Sequence, residues 1–290
     1  MTRDQIRKTL EEKGLTRVAE KLTALAMPCV RFYTNPATGT ELPVAASKLG
    51  GLPDLPPDMP WPSWTPIEEA SPLCFLGQIN LAALAGYAFA ESLPKSGMLS
   101  FFYDVEQFTW GFDPKDKGSW RVVYLPDSAQ LSARPLPEQT LDYGRYEECE
   151  IRFYEGLSMP GEGSPAIEAI GLDATEATRY SAFMEEFRAG IPHEMKHQLT
   201  GHPDEVQGAM QIECQLASNG IYCGSPSGYE DPRCEQLARG ARDWTLLLQL
   251  DTDDHAAMMW GDMGRLYFWI REEDLHAHDF DKVWMVLQCG

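Results

Sequence analysis

Basic residues are scarce in this chain. Twenty-four Lys and Arg stand against 44 Asp and Glu, a formal net charge of −20 over 290 residues. Such a field repels phosphate backbones, which excludes general nucleic-acid binding, and it attracts basic partners. The plainer reading is that the charge only keeps the protein soluble and monomeric. Long apolar runs are missing as well: none approaches the roughly 18 residues needed to cross a bilayer, so no membrane association is expected. Residues 1–15 alternate charges with Ile6 and Leu10 and hold no apolar stretch of the kind a secretion signal needs. The seven cysteines are odd in number and scattered, which argues against a disulfide framework and for a reducing compartment, most simply the cytoplasm. No glycine-rich phosphate loop with a Lys occurs and no dinucleotide fingerprint follows a strand, so kinase and oxidoreductase readings fall away and no cofactor is expected.

What is present suits a globular protein with a sizeable core: 43% of residues are hydrophobic and 11% aromatic. Residues 2–26 read as a helical hairpin broken at Gly14, with Thr2 and Gln5 at capping-box spacing. Strands are expected at about 73–79, 98–103, 119–125 and 149–154, with a short helix over 81–89. A second helix starts at the capping pair Asp173 and Glu176 and ends at Gly190 and Pro192. Further strands are expected at 209–216, 244–250, 257–260, 264–270 and 283–288, and a short helix beginning at Asp231-Pro232.

The two strand-rich regions echo each other. Leu49-x-Gly51-x-Pro53-Asp54 matches Leu199-x-Gly201-x-Pro203-Asp204, and Leu76-Gly77-Gln78-Ile79-Asn80 matches Leu247-Leu248-Gln249-Leu250-Asp251. Gly97 to Phe101 matches Gly264 to Phe268, and Trp120 to Val123 matches Trp284 to Leu287. The expected fold is therefore α+β and strand-rich, a single domain over 1–290. Two pseudo-twofold-related repeats (about 28–126 and 198–289) pack as one unit, with a helical flank at 2–26 and a connector with its helix at 127–197 near 174–189. Gln78 and Gln249 sit inside apolar strands, where an amide must find partners; they either hold equivalent structural bonds or line a shared cleft.

The Leu49–Trp61 run, the Phe75–Leu81 block, Gly97–Asp104, and Leu248-Gln249-Leu250-Asp251 through Trp260-Gly261-Asp262 to Phe268 resemble the YwqG-like family of bacterial proteins. The likeness spans about 28–289. It implies a strand-rich α+β protein of no established activity or cofactor. Because some members are encoded near secreted-toxin loci, it also implies an immunity- or antitoxin-like role.

Three motifs bear on chemistry. His193-Glu194-Met195-Lys196-His197 fits the H-E-x-x-H zinc pattern, but Gly190, Pro192, Gly201 and Pro203 leave no room for the long helix it needs, so it reads as a solvated connector. Cys214, Cys223 and Cys234 are too irregularly spaced for a zinc knuckle, and no metal ligands are assigned. Asp251, Asp253 and Asp262, with Trp260 between, form the sharpest acidic constellation: either an ion or small-ligand site, or a turn whose carboxylates bond the local backbone. The 217–243 insertion carries Tyr222, Tyr229, Arg233, Arg239 and Arg242, suited to recognition or to covering a sheet edge.

No catalytic residues emerge. The leading expectation is a non-catalytic binding protein for a basic protein partner, with Asp251, Asp253, Asp262, Gln78, Gln249 and Trp260 as binding residues. The alternative is a ligand- or divalent-cation-binding protein, or a hydrolase-type enzyme, using an acidic cleft between the halves.

Overall fold

Ten strands share one antiparallel sheet in the computed structural model of the chain, which describes residues 1–37, 42–65, 69–87, 93–127 and 130–290. In chain order they are β1 (Met27–Pro36), β2 (Lys48–Leu49), β3 (Cys74–Asn80), β4 (Met98–Tyr103) and β5 (Trp120–Leu125), then β6 (Cys149–Ser158), β7 (His197–Leu199), β8 (Trp244–Asp251), β9 (Arg265–Arg271) and β10 (Trp284–Gln288). Across the sheet they run β10-β9-β8-β7-β1-β6-β2-β3-β4-β5. The long pair β1 and β6 lies at the centre, registered from Met27 with Ser158 to Pro36 with Cys149. Four strands extend from each side of it in sequence order.

The two outermost strands then meet. Trp120 of β5 and Trp284 of β10 lie edge to face at 5.0 Å, and Phe101 and Phe268 do the same at 5.2 Å. The Trp120 indole donates to the Val283 carbonyl at 2.9 Å, and the Trp284 indole to that of Gly111 at 2.8 Å. These side chains bring the sheet nearly to a closed barrel without a ladder between β5 and β10. The loop after β4 covers the free edge of β10, where Leu287 N–H reaches the Trp110 carbonyl. The largest hydrophobic core fills the strands' shared interior.

A helical layer packs beside the barrel. It contains α1 (Arg3–Glu12), α2 (Ala19–Ala24), α3 (Pro165–Ile170) and α4 (Ala174–Ala189). Both expected capping boxes form, Thr2 with Gln5 and Asp173 with Glu176, and each satisfies two otherwise orphaned backbone amides. Ile6, Leu10, Leu22, Tyr180, Phe183 and Phe187 make a second core between these helices. Beyond them come α5 (Gln211–Ala217), α6 (Cys234–Leu237) and α7 (Glu272–His276).

The two glutamines in apolar strands do the same work. The Gln78 side-chain oxygen accepts from Asp54 N–H at 2.9 Å and its amide donates to the Ala46 carbonyl at 2.9 Å. Gln249 accepts from Asp204 N–H at 2.8 Å and donates to the Lys196 carbonyl at 2.8 Å. Each thus ties the preceding Pro-Asp corner to the middle of a strand. The corners themselves turn through two left-handed residues, Gly50-Gly51 (φ +62°, +69°) and Thr200-Gly201 (φ +56°, +73°). Register agrees too: Lys48 faces Gln78 and Gln198 faces Gln249, while both β3 and β8 carry a bulge two residues before the glutamine.

Several expectations need correcting. Residues 209–216 are not a strand: Gln211–Ala217 is helical. Met210, Ile212, Cys214 and Leu216 alternate like a strand, but Ile212 points outward while Gln215 and Ala217 are buried, the pattern of a helix packed on one face. Residues 257–260 are not a strand: within them Met258 makes a single isolated bridge to Asp253, which closes the turn at 254–257. The expected helix at 81–89 is a single 3₁₀ turn over Leu81–Leu84, and positions 88 and 89 lie outside the described residues. Strands β1, β2 and β7 are not among the expected ones; in β1, residues 29–32 are all buried, which erases the alternation that betrays a strand.

Replacing either glutamine by leucine strands a buried Asp54 or Asp204 N–H. We expect Gln78→Leu and Gln249→Leu each to lower unfolding free energy by about 1–3 kcal/mol. Urea titration checks this, and a neutral effect at one corner would show that the two amides do different work.

Candidate functional site

Trp260 is the post around which one end of the barrel is arranged. Fully buried, it stacks edge-on against Tyr103 (6.2 Å) and Tyr146 (5.7 Å) and donates its indole N–H to the Asp251 carbonyl at 3.2 Å. Those contacts gather three loops: 104–111 after β4, 140–147 before β6, and 252–264 between β8 and β9. Gln107 stitches the first to the third, donating to the Met259 carbonyl at 2.9 Å and accepting from Gly261 N–H at 3.1 Å. Tyr143 OH reaches Glu106 at 2.8 Å, and Glu147 N–H the Ala256 carbonyl at 3.0 Å.

The outer face of this rim combines apolar and acidic groups. Phe108 is 77% exposed, Met263 62%, Tyr143 60% and Met259 50%. On the same three loops Glu106, Asp142, Glu147, Asp254 and Asp262 face solvent, with Arg145 beside Asp142. Asp104 imposes the first loop's shape, its carboxylate accepting from Glu106 N–H and Phe108 N–H. Three of the six non-glycine residues with positive φ among those described, Gln107, Ala257 and Met263, lie in these loops. Backbone held this way against its preference is a frequent mark of functional loops.

The acidic constellation does not converge. Asp251 turns inward to Arg265 at 2.5 Å. Asp253 is buried and accepts from Thr34 Oγ1 at 2.7 Å and His197 Nε2 at 2.9 Å. Asp251 N–H points at His197 Nδ1 (3.1 Å), so that nitrogen holds its lone pair and Nε2 carries the proton given to Asp253. His197 is thus a buried strand residue with both nitrogens engaged, not part of a solvated connector. Only Asp262 of the three faces outward. Among the described residues no group of three His, Cys, Asp or Glu is placed to share a metal ion. Gln78 and Gln249 are spent on their corners and line none of this surface.

Burial opposes ionisation of Asp253, yet the His197 and Thr34 hydrogen bonds and Ala256 N–H outweigh it and hold its carboxyl below the usual range. Asp251 instead joins a cleft of about 550 Å³ with Arg31, Arg188, Lys196, Arg265, Asp204 and Glu205. Its character is mixed in charge, not acidic. Arg31 pairs with Asp204 at 2.7 Å, and Arg265 donates to the Asp204 carbonyl at 2.5 Å. Burial pushes Glu205 up to about 7 against the pull of Arg188. Among the described residues, neither place brings a nucleophile together with a poised base and oxyanion donors.

The chain belongs to a family defined by a domain of unknown function, DUF1963, whose pattern matches residues 47–289. The match takes in β2 to β10 and all three rim loops, while β1, at the sheet's centre, precedes it. A comparison with curated proteins found no match.

Two stability measurements follow. Asp253 has a lowered folded pKa, so its contribution is complete above the unfolded value near 3.9 and is lost as pH falls below it. Asp253→Asn should therefore be less stable at neutral pH and flatten the acid limb of Tm against pH below about 4. Glu205 has a raised folded pKa, so its stabilisation is present below the unfolded value near 4.3 and is lost as pH climbs through about 7. Glu205→Gln should raise stability at pH 8 by about 1–2 kcal/mol, and the gain should vanish near pH 4.

Proposed function

We propose that this protein is a non-catalytic protein-binding module whose rim takes a basic partner, in an immunity- or antitoxin-like role. The observation that carries the reading is the convergence of Phe108, Tyr143, Met259 and Met263 with a ring of carboxylates on three loops pinned by one tryptophan. Exposed aromatic and Met side chains supply the anchors that interfaces favour. The surrounding negative charge, within a chain of net −20, selects and steers a cationic surface. The resemblance to YwqG-like bacterial proteins supports this direction. All seven cysteines are free thiols, in keeping with a reducing cytoplasmic setting.

We further infer that the barrel arose by doubling of one strand-bearing unit, roughly 28–126 and 198–289. Supporting it are the matched glutamine bonds, the paired left-handed corners and the common bulge. A further echo joins Leu81 N–H to Gly97 and Thr252 N–H to Gly264. In this reading two of the rim loops, 104–111 and 252–264, belong to the copies and the third, 140–147, to the connector between them. The cation-site and hydrolase alternative lacks comparable support, since its three aspartates point to three different surroundings.

Titration of ¹⁵N-labelled protein with a synthetic Lys-rich peptide carrying spaced Leu and Phe tests the binding reading. Shifts should concentrate in residues 104–110, 141–147 and 254–263. Phe108→Ser with Met263→Ser should weaken binding about tenfold, and Asp254→Asn with Asp262→Asn should reduce its salt dependence. Shifts spread evenly over the acidic surface, indifferent to these substitutions, would sink it.

A further inference from the structure

The mixed-charge cleft of about 550 Å³ borders the rim at Met263 and runs against the charge of the chain. Arg31, Arg188, Lys196 and Arg265 line it, opposed by Asp204, Asp251 and Glu205. Arg31 is matched by Asp204, and Arg265 by Asp251. Burial raises Glu205 to about 7, so below that pH it is mostly uncharged. What remains is the charge of Arg188 and Lys196, a local excess of cation in a protein of net −20. The volume lies within the range of about 300–1,000 Å³ typical of small-molecule sites.

These two side chains stand apart from the rest. Lys13, Arg31, Lys48, Arg134, Arg265 and Arg271 are the other basic residues partly or fully withdrawn from solvent, and each holds a carboxylate, carbonyl or amide oxygen. Arg188 and Lys196 are half-buried, yet among the described residues their side chains have no hydrogen-bond or ion-pair partner. Lys196 leaves even Glu194 and Asp254 unbonded, though they line the smaller hollow beside it. A partly desolvated cation without a partner is destabilising, so two of them on one cleft call for an anion.

We propose that this cleft is a binding site for a small dicarboxylate, with Arg188 taking one carboxylate and Lys196 the other. The two cations enter from different elements, the last turn of α4 and the connector before β7, which suits two separated charges better than one compact anion. A guanidinium grips a carboxylate through two parallel N–H donors, and an ammonium meets the second as a point charge. Ala189, Ile191, Pro192 and Met195 offer the short carbon chain an apolar wall. Repulsion by the chain's distant carboxylates is screened beyond about 8 Å at physiological salt.

Glutarate and butyrate serve as probes, titrated into ¹⁵N-labelled protein at about pH 6.5, below the Glu205 transition, and at fixed ionic strength. Glutarate should give saturable shifts concentrated in residues 188–196, 204–206 and 263–265, and should bind at least about tenfold more tightly than butyrate. Arg188→Gln and Lys196→Gln should each weaken glutarate about tenfold. Arg242→Gln, which removes an exposed arginine elsewhere, should leave its affinity unchanged. Circular dichroism checks that each variant folds, and neither Arg188 nor Lys196 gives up a bond on substitution. Absence of a saturable glutarate shift, equal binding of the two probes, or an equal loss in Arg242→Gln overturns the proposal. None of these substitutions lies on the rim, so their failure leaves the basic-partner reading standing.

Discussion

The buried amide of a glutamine is the constraint on which this architecture turns. A strand interior has no spare hydrogen-bonding capacity, and a corner that leaves the sheet and returns must find partners for its own N–H groups. Gln78 and Gln249 solve both problems together, each reaching out of its ladder to the Asp N–H of the adjoining corner. With the corners tied, β2 and β7 can be very short and still hold their places beside the central β1–β6 pair. The aromatic interior then has room for Trp120, Trp284, Phe101 and Phe268 to meet.

Much of this framework was legible before any coordinates. The capping residues Thr2 and Asp173 and the strands at 98–103, 244–251 and 284–288 lie where pattern placed them. What escaped was context-dependent. β1 is buried on both faces and carries Arg31, whose charge is matched by Asp204, 173 positions away in the chain. The alternating text before Ala217 imitates a strand, because period 2 and period 3.6 coincide over so short a stretch.

The candidate site was half visible. The segment 251–262 drew attention through its acids, and the structure sorts them by what each can reach. Asp251 and Asp253 are consumed by Arg265, Thr34 and His197, and Asp262 remains outside. Phe108 and Tyr143 could not be found this way. Nothing in a single aromatic residue says whether it points into a core or away from one, and the rim bonds beside them span 37 to 152 positions of the chain. Trp260 supplied the useful signal, but as an internal fastener instead of a contact residue.

One consequence lies in the line where β5 approaches β10. A ladder locks two strands in steps of whole residues, whereas rings and indole N–H groups tolerate gradual sliding. The barrel's circumference is therefore adjustable along this single line. The loop that bridges it also bears Phe108, so a load placed on that side chain is delivered to the one joint able to yield.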